Sequence, residues 1–380
     1  MVNSHFDYII IGNGLAGLQL ALAFYNEPFF ESKQIALIDP DNKTINDKTW
    51  SFWEKTHGKW DAIVSQVWKE SVFYSNQAKV PLNFNDYVYK SIRSIDFYTK
   101  VKSLLTSSNN FHFILNEVKT VSQKKLVEVV CENKMYSANH VFDSRMPKKF
   151  FEQKAKFTLL NQHFKGVVIE TVEEHFNPQV FTMMDYRMQY KNSTSFVYVL
   201  PMSRKKALIE YTFFTPFITE ESVYDEMIDK YIKEQLKIKQ FKIVETEMGN
   251  IPMTNFPFEK YNTKQVTKIG TAGGWVKGST GYSFKHTEKK VAKIIENIKG
   301  GRTPSSALKN NRFKFYDKIF LKVLHDENVK GPWIFKQFYE KNATEIMFRF
   351  LDEESTFKEE LSIMYSLFSW SFIKAFFKTL

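Results

Sequence analysis

The stretch Phe6-Asp7-Tyr8-Ile9-Ile10-Ile11-Gly12-Asn13-Gly14-Leu15-Ala16-Gly17 decides the fold. Its first half is apolar with little alternation, as expected of a parallel strand buried on both faces. The glycines then fall where a strand turns into a helix. Gly12 permits the tight turn, Gly14 lets backbone approach a pyrophosphate, and Gly17 lets helix and strand pack closely. Leu15 and Ala16 begin the helix, at whose N-terminus free N–H groups and the dipole favour phosphate. A second strand, Ile35-Ala36-Leu37-Ile38, ends at Asp39-Pro40, because proline forbids continuation. The unit is βαβ, with Asp39 placed to accept hydrogen bonds from an adenosine ribose.

Far along the chain, a strand over 266–269 leads to a second glycine turn, Gly270-Thr271-Ala272-Gly273-Gly274. A helix is predicted after it, over about 282–299, ending at Gly300-Gly301. A simple nicotinamide dehydrogenase has no use for this second loop. Two loops in these positions suggest one fold wrapped around one long dinucleotide, FAD. The run Gly273-Gly274-Trp275-Val276-Lys277-Gly278-Ser279-Thr280 looks like a triphosphate loop, but its lysine precedes the last glycine instead of following it. A place beside the flavin ring or ribityl chain fits better, and an ordinary glycine-rich turn is the alternative.

Between the loops the texture changes. Residues 41–60 read as a polar, aromatic-rich connection, and 141–145 as a strand returning to the first sheet. Segments 167–170, 180–184, 195–200 and 207–214 read as strands of a separate antiparallel sheet, with the last two joined by a turn over 201–205. The expected architecture is α/β. A split Rossmann-type FAD-binding domain (1–150 and 245–300) carries an inserted antiparallel β-sheet substrate domain (151–244), followed by C-terminal helices (301–380).

The 380 residues carry a net charge of +11, which suits anionic lipid, nucleic acid or acidic substrates without choosing among them. No concentrated Lys/Arg stripe is present, so nucleic acid is not an expected partner. The 37 phenylalanines point to an apolar channel, a membrane-facing surface, or simply a compositional bias of the genome. With Cys131 the single cysteine, no intrachain disulfide forms and a reducing compartment is favoured. The scattered histidines show no metal-binding spacing, so no metal site is expected. Met1 leads almost directly into the first strand, and no apolar run approaches the roughly 20 residues that span a bilayer. The expected location is intracellular, either soluble or peripheral to a membrane.

Three blocks carry a family resemblance. Asn46-Asp47-Lys48-Thr49-Trp50-Ser51-Phe52-Trp53-Glu54 comes first, then Leu200-Pro201-Met202-Ser203 with Ala207-Leu208-Ile209-Glu210-Tyr211-Thr212. The third runs from Gly270 through Ser279-Thr280-Gly281-Tyr282-Ser283-Phe284. In this order they resemble the bacterial lycopene cyclases of the β-cyclising type. The resemblance implies an enzyme that closes the ψ-ends of lycopene into β-rings, giving β-carotene through γ-carotene. It also implies reduced FAD, NAD(P)H as electron source, and no net redox change. It places Lys48, Gly270, Gly273, Gly274, Thr280 and Gly281 against the cofactor. Lys48 stands where arginine is expected, and Tyr211 where many members carry a second acid. An FAD-dependent monooxygenase or polyprenyl reductase on an apolar isoprenoid is the rival reading.

The chemistry needs a proton delivered to a terminal alkene, a shielded cation and loss of a ring proton. Burial raises a carboxyl pKa and keeps the acid protonated until it is needed. From alternation alone Glu210 is a solvent-facing strand residue; the resemblance makes it the catalytic acid. Asp47 and Glu54 flank Trp50 and Trp53, a second acid set among aromatic faces that stabilise cations, or else a surface loop. The tail 364–380 is rich in bulky apolar residues with lysines as its only charges. It reads either as an interfacial helix at the inner face of the cell membrane or as a helix packed on the fold.

Overall fold

The computed structural model describes residues 4–55 and 57–380; Met1, and the reading that placed it just before the first strand, lie outside the described residues. In chain order the elements are β1 (Ser4–Ile11), α1 (Leu15–Tyr25), β2 (Ile35–Asp39), β3 (Thr49–Lys55), β4 (Gln66–Trp68), β5 (Glu70–Ser75), β6 (Ala78–Asn83), β7 (Tyr87–Arg93) and α2 (Ser94–Thr106). Then come β8 (Phe111–Leu115), β9 (Val118–Gln123), β10 (Val127–Cys131), β11 (Met135–Asp143), α3 (Lys148–Gln153), β12 (Leu159–Thr171), β13 (Val180–Asp185), β14 (Ser195–Ser203), β15 (Lys206–Thr215) and α4 (Glu221–Glu234). The chain finishes with β16 (Phe241–Thr254), β17 (Val266–Lys268), α5 (Phe284–Lys299), α6 (Asn311–Asp326), α7 (Gly331–Lys341), α8 (Thr344–Leu351), α9 (Phe357–Ser366) and α10 (Trp370–Thr379).

The first sheet has the order β8-β2-β1-β11-β10-β9, with β17 on the far half of β11. Pairs β8–β2, β2–β1, β1–β11 and β11–β17 are parallel. This explains why β1 and β2 read as continuous apolar runs: Ile9, Ile10, Leu37 and Ile38 have no solvent face. Both glycine turns follow the C-terminal ends of strands of this sheet, where ligands bind in open α/β folds.

The second sheet has the order β16-β12-β15-β14-β13-β5-β6. It is antiparallel apart from β13–β5, and it is covered on both faces. On β15, Ala207, Ile209, Tyr211 and Phe213 pack with α4, while Leu208 and Phe214 face the C-terminal helices. A smaller sheet, β3-β7-β4, lies between the two cores.

Three expectations change. Residues 49–55 form strand β3 on β7 rather than part of a connection. The boundary at 244/245 falls inside β16, because the 13-residue β12 needs an equally long partner. The second sheet also takes β5 and β6 from within 1–150, so it is assembled from more than the inserted segment.

Candidate active site

The two glycine turns meet. Gly12 has φ +101°, and a Cβ on Gly17 would lie 1.9 Å from the Gly12 carbonyl oxygen, so only glycine lets α1 approach β1 this closely. A Cβ on Gly14 would touch nothing within 4 Å, which leaves that backbone edge open. Gly270, at φ +61°, lies so near α1 that a Cβ would come within 3.2 Å of the Ala16 Cβ. The Asp39 carboxylate accepts the Asn13 N–H at 2.6 Å and the Asp41 N–H at 2.8 Å, holding the first loop in shape. Its remaining lone pairs are free for a ribose. Helix α1 has no side-chain cap and no acid in its first turn, and the buried Asn13 Oδ1 has no partner among the described residues. The uncapped backbone N–H groups of α1, the absence of negative charge in its first turn and the open edge at Gly14 together fit a diphosphate.

A cleft opens between β3, the edge of the second sheet, and the loop at 280–284. It is lined by Asp47–Ser51, Tyr89, Gln162, Tyr198, Glu210, Glu247 and Thr280–Phe284, among others. The carboxylates follow from register. Gly166 on β12 pairs with Glu210 of β15 on one side and with Glu247 of β16 on the other. Adjacent strands lie about 4.8 Å apart, so the two acids stand on one face with only a glycine between them. A Cβ on Gly166 would lie 3.2 Å from Glu247 Cγ and 3.5 Å from Glu210 Cβ, so the glycine keeps that gap open. Thr212 donates to Glu210 at 2.6 Å and Thr49 donates to Glu247 at 2.9 Å. Glu210 opens onto the cleft yet sits deep in the fold; burial first and the Glu247 charge second raise its pKa well above the carboxylate range. Burial also raises Glu247, with Glu245 adding to the effect. The pair therefore holds a proton at neutral pH.

The row continues across the sheet. Tyr198 on β14 pairs with Glu210, and beyond it the β13 residues Met183 and Met184 line a separate cavity of about 400 Å³. This cavity is almost wholly apolar and is lined by Trp53, Phe214 and residues of α6 to α10. Tyr198, Thr280 and Tyr282 border both spaces. The Tyr89 and Tyr282 hydroxyls lie 3.1 Å apart, and Trp53 meets Tyr282 edge-on at 4.6 Å between ring centroids. The apolar cavity and the cleft of the carboxyl pair thus share a collar that includes Tyr198 and Tyr282.

The family described as "Lycopene cyclase protein" matches residues 7–376. This chain belongs to the lycopene cyclase family. A search of curated proteins gives no match. Among solved structures, a geranylgeranyl bacteriochlorophyll reductase-like protein from Thermoplasma acidophilum superposes with a TM-score of 0.63 at 11% identity, covering 100% of each chain. The flavin-dependent brominase Bmp2 gives 0.60 at 13% identity, covering 96% of this chain and 94% of its own. Halogenase PltM, solved with phloroglucinol and FAD, gives 0.61 at 11%, covering 98% and 90%. The fold is that of these flavoproteins.

Within this cyclase-family chain the expected residues separate. Along β3, Thr49 and Ser51 reach the cleft and Trp53 the apolar cavity, whereas Phe52 and Glu54 belong to the opposite face. Glu54 therefore has no place in the cleft. It accepts from Lys90 and Lys285, both at 2.9 Å, in a charge network with Asp61 and Glu288. Asp47 does line the cleft, but Lys48 at 2.7 Å, Ser94 at 2.8 Å and Tyr98 at 3.0 Å donate to it. These contacts outweigh its burial and hold its pKa below the usual value, so it is an anion rather than a proton donor.

Lys48, Thr280 and Gly281 line the cleft; at φ +75°, a Cβ on Gly281 would strike the Gln162 amide oxygen. Gly273 and Gly274 instead border a polar pocket behind the loop. There the buried Lys277 binds Asp317 at 3.0 Å and Glu353 at 3.4 Å, tying the loop to the C-terminal helices. Sequence reasoning missed Glu247, Gly166, Tyr89 and Tyr198. The signal for Glu247 was the alternation Glu245-Thr246-Glu247-Met248-Gly249, which begins directly after the expected boundary at 244/245 and so was cut off from the sheet it belongs to.

Proposed function

We propose that this protein is a lycopene β-cyclase, an isomerase that closes the ψ-ends of lycopene into β-rings and yields β-carotene through γ-carotene. The observation that carries the reading is Glu210: a carboxyl whose pKa burial raises well above the carboxylate range, in a cleft that shares Tyr198, Thr280 and Tyr282 with an apolar cavity. Its proton goes to C2 of the ψ-end, leaving a tertiary cation at C1. The C5=C6 bond attacks C1, and loss of the C6 proton completes the ring with no change in oxidation level. The faces of Trp53 and Tyr282 border the path and favour positive charge.

FAD would be held by Gly12, Gly14, Leu15, Ala16, Gly17 and Asp39 at its diphosphate and adenosine, with Gly270 beside them. Lys48, Thr280 and Gly281 would lie at its flavin end. Reduced by NAD(P)H, it would supply negative charge near the developing cation. Among the described residues no helix is long and apolar enough to cross a membrane. The substrate path proposed here starts at α9 and α10, where Phe368 and Phe377 border the cavity while about 70% exposed. Such a mouth suits a peripheral protein resting on the cytoplasmic face of the cell membrane.

The test is expression in lycopene-accumulating cells with pigment analysis. The expected result is yellow-orange cyclic carotene with the mass of lycopene. Added oxygen or hydrogen would indicate a monooxygenase or a reductase, and unchanged lycopene beside folded, flavin-loaded protein would overturn the reading.

A further inference from the structure

The cyclisation has two proton transfers, and Glu210 accounts for one. We infer that Glu247 is the base that removes the C6 proton, and that Gly166 is the gap through which this proton returns to Glu210. The inference rests on the cyclase reading above. Glu247 is the carboxylate that the register places directly across the glycine strand from Glu210. The remaining cleft acid, Asp47, is fully engaged by Lys48, Ser94 and Tyr98. Glu245, two residues before Glu247, is occupied by Asn46 and by Arg93 at 3.4 Å. Tyr211, the position next to the acid, cannot serve: alternation turns it to the opposite face, where its hydroxyl donates to the Met188 carbonyl at 3.1 Å.

The step balances. Before turnover the pair holds one proton, on Glu210. That proton moves to C2 while the C1–C6 bond forms from the C5=C6 electrons, leaving a cation at C5. Glu247 takes the proton from C6, whose C–H electrons become the new C5=C6 bond. The pair again holds one proton, now on Glu247, and transfer to Glu210 restores the starting state. No oxidant, reductant or external base is consumed. The crossing requires that nothing occupy the Gly166 position, where a methyl group would press on Leu208 at 3.0 Å and on Glu247 Cγ at 3.2 Å.

The experiment uses Glu247→Gln and Glu210→Gln as flavin-loaded full chains, supplied with lycopene in D₂O. For Glu247→Gln, ring formation is expected to fall about 10²–10⁴-fold, while recovered lycopene gains deuterium as the stalled cation returns its proton. For Glu210→Gln, neither ring nor label is expected. Gly166→Ala is the second arm, with slow rings and a shifted pH–rate profile. A Glu247→Gln variant that cyclises at the wild-type rate overturns the assignment. So does one that is slow but returns unlabelled lycopene, because Glu247 would then act before proton delivery. Failure of the wild type to cyclise at all is a different outcome, and counts against the cyclase reading itself.

Discussion

Tyr198 stands directly across from Glu210 on neighbouring antiparallel strands, and both side chains border the cleft. The acid is thus adjacent to the collar through which the proposed polyene substrate would pass. Burial raises the Tyr198 and Tyr282 phenols well above their ordinary range, so the collar stays neutral and adds no charge beside the cation. Tyr282→Leu is expected to loosen the collar and admit water, which would trap the C1 cation as a tertiary alcohol. Mass spectrometry would show a product heavier by one water, with its oxygen drawn from the solvent. Clean ring product from this variant would remove the collar from the mechanism.

Glu210→Gln keeps shape and removes the proton. Ring formation should drop at least about 10²-fold. Because Glu210 is remote from the Gly12–Gly17 loop, bound flavin measured by absorbance should be unchanged.

The pH dependence follows from the sign of the shifts. Glu210 and Glu247 have folded-state pKa values raised by burial, so the native protein binds more protons than the unfolded chain above the ordinary carboxylate range. Stability should fall as pH rises from there through the raised values, then level off. Activity should fall over the upper part of the same window as Glu210 loses its proton. Glu210→Gln with Glu247→Gln should flatten that part of a melting-temperature curve, which thermal melts across pH would reveal.

The first loop gives a structural test. In Gly17→Ala the added methyl meets the Gly12 carbonyl, a backbone atom that cannot swing aside. The variant should lose about 1–3 kcal/mol and purify without yellow colour. Calorimetry and the flavin spectrum check the two effects separately.

At the cavity mouth, Phe368→Ser with Phe377→Ser should weaken binding to anionic vesicles. Each phenylalanine contributes about 1.5–3 kcal/mol when buried in lipid. Activity on detergent-dispersed lycopene should survive. Vesicle sedimentation against a detergent assay separates the two effects.

Much of the nucleotide half was legible because its signals are local: a buried strand, three glycines and an acid lie within one βαβ unit. The convergence of Gly270 on Ala16 followed from having two such loops. The candidate acid site was half legible. Glu210 could be named, but its partner lies two strands away across Gly166, and only register brings them together. Glu54 misled because period-two alternation along β3 sends it to the face opposite Trp53. Asp47 misled because its three donors come from Lys48, Ser94 and Tyr98, two of them some fifty residues away.

The seven-stranded sheet that carries both glutamates draws β5 and β6 from before residue 84, β12 to β15 from the middle of the chain, and β16 from beyond residue 240. A fragment cut at 151 and 244 would keep Glu210 but lose Glu247, together with the strand that hydrogen-bonds the whole length of β12. The part of the molecule that carries the two glutamates therefore cannot be lifted out as a portable cassette. A chimaera with another flavoprotein of this fold would have to exchange two separate stretches of polypeptide at once, one holding β5 and β6 and one running from β12 through β16.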